Sequence, residues 1–158
     1  MKLYLMRHGH SPSVLEAGVG SDRERPLSER GRAEVRRSAA HLAKAGAKPG
    51  IILCSPLLRA KQTAEEAAAQ LGGPPVRPYD PLANVLPGSA LVREVAAFDW
   101  GCDEVLLVGH MPQVAEAASH LSEDRAFSFS TAEVASFEVS KDGSGRLLWK
   151  TAPDEVVD

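Results

Sequence analysis

Three short, continuous apolar runs, at residues 2–6, 50–54 and 104–109, are spaced along this chain by stretches of helical periodicity. Runs of this length that do not alternate with polar residues suit strands covered on both faces, as in a parallel sheet with helices on either side. The intervening stretches supply those helices. Ser28 is a fitting N-cap, Glu29 suits the positive end of a helix dipole, and Val35, Ala39, Leu42 and Ala43 recur at helical spacing up to Gly46. Ala60, Ala64, Ala67, Ala68 and Leu71 form one face of a second helix, closed by Gly72-Gly73-Pro74-Pro75. A weak strand is expected at 76–79, a helix at 90–98, and another with Pro112 in its first turn running to about His120. Residues 134–139 and 146–151 flank Lys141-Asp142-Gly143-Ser144-Gly145, a hairpin signal, and 11–26 reads as loop broken by Gly18, Gly20 and Pro26. The pattern predicts an α/β fold in one domain spanning 1–158. It is a three-layer α/β/α sandwich with a mostly parallel central sheet and a C-terminal hairpin strand pair.

Charge and cysteine usage narrow the function. A net charge of −3 argues against a general nucleic-acid binder, although a local cationic pocket is compatible with it. The first apolar run is cut off by Arg7 and is too short for a signal segment or a membrane span. Cys54 and Cys102 do not make a disulfide framework in a chain of 158 residues; free, partly buried thiols and a cytoplasmic location are expected.

In open α/β sheets ligands bind beyond the carboxyl ends of the strands. Here the first strand ends in Arg7-His8-Gly9-His10, the second is followed by Ser55-Pro56-Leu57-Leu58-Arg59, and the third strong strand ends in Gly109-His110. If the three are neighbours, two arginines and two or three histidines converge on one pocket. Guanidinium forks match phosphate oxygens and stay charged. An imidazole nitrogen can attack phosphorus when the other nitrogen is held as a donor, normally by a backbone carbonyl. A second histidine stabilises charge on the equatorial oxygens. Gly9 is expected to let the backbone approach a ligand closely and to take an unusual turn.

Arg7-His8-Gly9, the run 25–31 (Arg25-Pro26-Leu27-Ser28-Glu29-Arg30-Gly31), the run 55–64 from Ser55 to Ala64, and Gly109-His110 together resemble the histidine phosphatase superfamily. The short length and the segment Ser130-Thr131-Ala132-Glu133-Val134-Ala135-Ser136 resemble its compact SixA-type phosphohistidine phosphatases. The resemblance implies a phosphoglycerate mutase-like fold, His8 as nucleophile, and Arg7, Arg59 and His110 as the phosphate pocket, with no metal and no organic cofactor. It also implies a phosphohistidine-bearing protein as substrate, a histidine phosphotransfer domain among the candidates, with phosphate or other oxyanions binding the site and neither nucleic acid nor membrane as partner. Gln62 and Thr63 match family positions, where anchoring of a helix is the expected role for both. Larger members carry a glutamate acid in the region that here reads Tyr79 to Leu86, where Asp80 is the only carboxyl group. A turn role is expected for Asp80, with the pocket edge as its alternative, and the pocket edge is also expected for His10.

The absence of a clear acid bears on the substrate. An alkyl phosphate leaves as a poor alkoxide and needs a proton in the transition state, whereas a protonated imidazole is a good leaving group. Phosphohistidine is therefore the expected substrate. Three other readings stand beside it: a broad phosphomonoesterase or mutase on small metabolites, a non-catalytic phospho-ligand module, and a metal site of His8, His10 and His110.

Overall fold

The computed structural model describes residues 1–155. Its strands are β1 (Lys2–Arg7), β2 (Ile51–Cys54), β3 (Val76–Pro78), β4 (Glu104–Gly109), β5 (Val134–Val139) and β6 (Gly145–Thr151). They form one sheet in the order β3-β2-β4-β1-β5-β6, with the first four strands parallel and β5 antiparallel to both its neighbours. The helices are α1 (Val14–Ala17), α2 (Glu29–Lys44), α3 (Leu58–Gln70), α4 (Gly88–Ala97) and α5 (Gln113–Ser122).

Successive residues of a strand point to opposite faces, so a run apolar at every position is needed where both faces are covered. On one face Leu3, Leu5, Leu53, Val105 and Leu107 pack in one cluster with Leu91, Val95, Val114 and Leu121 of α4 and α5. On the other, Tyr4, Met6, Ile52, Leu106 and Val108 pack with Val35, Leu42, Ala60 and Ala64 of α2 and α3. The sandwich has the three layers expected of it.

Several local expectations shift. In α2, Val35, Ala39 and Leu42 are buried beneath the Ser28 N-cap as expected, but Ala43 is exposed, and Gly31 and Ser38 complete the packed face. In α3, Ala60, Ala64 and Ala67 are buried while Ala68 and Leu71 are only half-buried. Pro112 stands at the N-cap of α5 rather than within its first turn. Helix α4 begins at Gly88, ahead of the expected 90, and a Cβ on Gly88 would lie 2.2 Å from the Ala117 backbone nitrogen of α5. Residues 11–26 are not all loop: they contain α1, opened by a Ser13/Glu16 capping box and closed at Gly18, and a 3-10 turn over Asp22–Glu24. Neither element has a buried residue, so no apolar periodicity announces it. Both cysteines are free thiols, Cys54 buried and Cys102 partly so. No helix among the described residues is long and apolar enough to cross a membrane.

The register aligns the loaded strand ends. β1 pairs with β4 at Arg7 and Gly109, and β2 with β4 at Cys54 and Val108. One residue further, the His8 amide donates to the Gly109 carbonyl and the Ser55 amide to the Val108 carbonyl, both at 3.0 Å. His8, Ser55 and His110 thus leave the sheet side by side. Helix α2 closes on this edge with almost no clearance: a Cβ on Gly31 would lie 2.1 Å from the His10 carbonyl oxygen. Gly31→Ala must push the β1 loop away from α2, and a loss of about 1–3 kcal/mol is expected for such overpacking, measured by urea unfolding at unchanged slope.

Candidate active site

His8 and His110, both buried, face each other edge-on with ring centroids 5.0 Å apart. The Nδ1 atom of His8 lies 2.7 Å from the carbonyl oxygen of Gly9. A carbonyl can only accept, so Nδ1 carries the proton and Nε2 is left with its lone pair. This is the arrangement a nucleophilic imidazole requires. The Nε2 atom of His110 meets Ser55 Oγ at 2.7 Å, and its Nδ1 is buried with no partner.

Two arginines flank the rings. Arg7, the last residue of β1, donates from Nη1 to the Phe129 carbonyl at 2.8 Å. Arg59, in the first turn of α3, donates from Nη1 to the Asp22 carbonyl at 2.9 Å and from Nη2 to the Asp22 carboxylate at 3.1 Å. The Nε of each arginine is buried and unpartnered. Buried polar groups are normally satisfied, so the unpartnered Nε–H groups of Arg7 and Arg59, together with His110 Nδ1, which is a donor when Ser55 Oγ donates to Nε2, suit an acceptor-rich ligand.

Burial sets the protonation of the rings. It is the main force pushing His8 down to about 3, with the charges of His110, Arg59 and Arg7 adding and the Gly9 hydrogen bond opposing. His110 is pushed down to about 4, first by burial, then by Arg59 and Arg7, with Asp22 opposing. Both rings are neutral at pH 7. Arg7 is also lowered by burial, against the attraction of Glu34.

The other residues singled out by sequence have supporting positions. The φ of Gly9 is not positive, so the unusual turn expected there is absent, and the place of its missing Cβ is 2.7 Å from the Gly31 carbonyl oxygen, so a glycine is needed for α2 to pack here. Its amide donates to Thr63 Oγ1 at 3.1 Å, and Gln62 Oε1 accepts the Leu27 amide at 2.8 Å, so both α3 side chains act as anchors. The His10 ring is half-buried with Nδ1 2.7 Å from Ser28 Oγ, which ties it to the N-cap of α2. The structure therefore does not assemble the histidine trio of the metal reading. No group of three or more His, Cys, Asp and Glu side chains among the described residues is placed to hold a metal ion. Asp80 is exposed and opens a 3-10 turn, its carbonyl accepting the Ala83 amide, which is the turn role expected of it.

Sequence reasoning missed three participants. Asp22 lay in a segment read as loop, and only its place three residues before Arg25 in the family-like run hinted at a role. Ser55 was visible as part of a motif, but its bond to His110 depends on the β2–β4 register. Glu34 receives the His10 amide and the Thr131 hydroxyl and faces Arg7 electrostatically, a placement that joins α2 to the approach to β5.

Residues 3–90 match the model of the histidine phosphatase superfamily (branch 1). The chain belongs to that superfamily. It is a phosphatase. It is 32% identical to the phosphohistidine phosphatase SixA of Escherichia coli K12, over 97% of this chain and 94% of that one. A structure of the protein histidine phosphatase SixA complexed with tungstate superposes with a TM-score of 0.88 at 28% identity, covering 99% of this chain and 100% of the other. A SixA structure from Agrobacterium tumefaciens gives a TM-score of 0.82 at 25% identity over 96% and 97% of the two chains. The fold is thereby phosphoglycerate mutase-like, as the sequence resemblance implied.

The depressed histidines couple stability to pH. Between their folded values, about 3 and about 4, and the ordinary 6.5, the unfolded chain binds more protons than the folded one. Their contribution is complete above 6.5 and is lost as pH falls. In phosphate-free buffer the Tm should drop from pH 6.5 towards 4, and His8→Asn and His110→Asn should each flatten that slope.

Proposed function

We propose that the chain is a phosphohistidine phosphatase that removes the phosphoryl group from a histidine of a partner protein through a phospho-His8 intermediate. The observation that carries this is the free Nε2 of a His8 ring locked by Gly9, beside buried, unpartnered N–H donors on Arg7 and Arg59 and an unpartnered ring nitrogen of His110. A phosphoryl group offers the acceptor oxygens those donors lack. The existence of a tungstate complex of the SixA relative supports oxyanion binding, since tungstate is tetrahedral and anionic like phosphate.

In the proposed reaction Nε2 attacks phosphorus as the bond from phosphorus to the substrate ring nitrogen breaks and its electron pair returns to the departing ring, while the two guanidiniums and His110 hold the equatorial oxygens. The charge they supply is the charge a metal ion supplies in other phosphoryl-transfer sites, and no cofactor enters the scheme. Water then attacks phosphorus, the bond to His8 Nε2 breaks with its electron pair returning to that nitrogen, and inorganic phosphate leaves as the water's proton passes to solvent. Neutral His8 at pH 7 needs no base to free its lone pair.

The substrate class rests on the leaving group. Asp80, the one carboxyl group in the region where larger relatives carry their acid, is exposed on a turn. Without a proton donor an alkoxide leaves poorly, while a ring nitrogen protonated on its far side leaves readily. The E. coli relative named a phosphohistidine phosphatase, matched over nearly the full chain, supports the same class.

A substrate panel tests this. Phosphohistidine and aryl phosphates should be hydrolysed much faster than sugar phosphates, and comparable rates on sugar phosphates would place the enzyme among metabolite phosphatases. His8→Ala should abolish both turnover and the acid-labile phosphoenzyme seen after rapid quench with labelled substrate. Arg7→Ala and Arg59→Ala should each lose about 2–4 kcal/mol of transition-state stabilisation, read from kcat/KM.

A further inference from the structure

The least expected contact of the site is a carboxylate on a phosphate clamp. Asp22 meets Arg59 through both its backbone carbonyl and its side chain, and Oδ1 of the same carboxylate accepts from Arg25 Nη1 at 2.9 Å. Arg25 is in turn fixed by the carbonyls of Pro12 and Ser11, at 2.7 and 3.2 Å. The charge is thus held rigidly in a segment that has no buried residue in its helical parts. A fixed negative charge beside Arg59 repels the dianion the site is built to bind. Its use must come from another part of the substrate.

General acid catalysis is not that use. The hydrogen bond from Arg25, with Arg59 adding, keeps the Asp22 carboxyl below the usual range, so it has no proton to give at neutral pH. As an acceptor it has capacity left. A carboxylate offers about four lone-pair positions, of which Arg25 and Arg59 occupy two, and the side chain is 60% exposed. The charged groups facing it are Arg25 from its own loop and Arg59 from α3, and the titratable His110 ring lies at longer range beyond β4. An exposed, oriented anion at the mouth of a phosphoryl site suits a leaving group that bears an N–H.

We propose, on the basis of the phosphohistidine reading above, that Asp22 is a specificity-determining residue whose carboxylate accepts the N–H of the distal ring nitrogen of the substrate imidazole. Holding that proton keeps the ring in its reactive form. His8 Nε2 bonds to phosphorus, the bond from phosphorus to the substrate ring nitrogen breaks, and its electron pair returns to that nitrogen. The imidazole departs neutral, keeping its distal proton, whose N–H is still hydrogen-bonded to the Asp22 carboxylate. Esters have no such N–H and meet only the repulsion.

The test compares Asp22→Asn and Asp22→Glu with the wild type on phosphoimidazole and para-nitrophenyl phosphate, with tungstate as inhibitor. Asp22→Asn should lower kcat/KM for phosphoimidazole about tenfold, the scale of one charge-assisted hydrogen bond. It should raise kcat/KM for the aryl phosphate and tighten tungstate inhibition. The alkaline limb of phosphoimidazole turnover should move to lower pH, because the ring loses the anion that holds its proton, with no matching shift for the aryl phosphate. Asp22→Glu, which keeps the charge, should recover part of the phosphoimidazole rate. A parallel fall on both substrates with unmoved pH limbs would show that Asp22 only positions Arg59, and would overturn the proposal. A wild type that hydrolyses sugar phosphates as fast as phosphoimidazole would instead overturn the phosphohistidine reading on which it rests.

Discussion

Everything in the site depends on the way β1 and β2 hydrogen-bond to opposite edges of β4. A parallel ladder fixes which residues leave the sheet together, and a shift of one position would turn every side chain to the other face. With Arg7 opposite Gly109 and Cys54 opposite Val108, the chain places His8, Ser55 and His110 at one level. The same register gives each strand a different helical layer above and below it. Core packing and catalytic alignment are therefore one constraint, since the alternating apolar side chains that lock the strands also lock the residues just past their ends.

The electrostatics follow from that convergence. Two guanidiniums and two imidazoles share a buried volume, and the strain is relieved in two ways. The imidazoles stay neutral, chiefly because burial disfavours their charged forms. The guanidiniums keep part of their hydrogen bonding through rigid acceptors: Phe129 carbonyl for Arg7, Asp22 for Arg59. What remains unsatisfied, one N–H on each arginine and one ring nitrogen of His110, is aligned before any ligand arrives. Preorganised donors need no rearrangement at the moment of reaction, which is where such sites gain most of their rate.

Much of this was legible in the sequence, for identifiable reasons. Buried parallel strands leave continuous apolar runs, and β1, β2 and β4 lie where those runs predicted; α2, with its Ser28 cap and Gly46 stop, is equally plain. The three loaded strand ends were visible as text, but their adjacency was conditional on a strand order that residue patterns do not encode. Gly9 illustrates the limit. A glycine beside a reactive histidine suggests ligand approach; that its smallness also serves a helix contact with Gly31, twenty-two residues away in sequence, is invisible without the fold. Asp22 was hidden for the opposite reason: polar contacts alone hold its segment, and these leave no periodic trace.

The bond between the His8 ring and the Gly9 carbonyl has a further consequence. The ring is steered by its own adjacent peptide rather than by a residue from another element, so its direction is a property of a dipeptide. Under a phospho-His8 mechanism the anchoring nitrogen is not the one that becomes phosphorylated. The ring then keeps the same tether whether empty, loaded or discharging. Loading and unloading would share a single axis, with the departing group and the incoming water taking turns at one doorway.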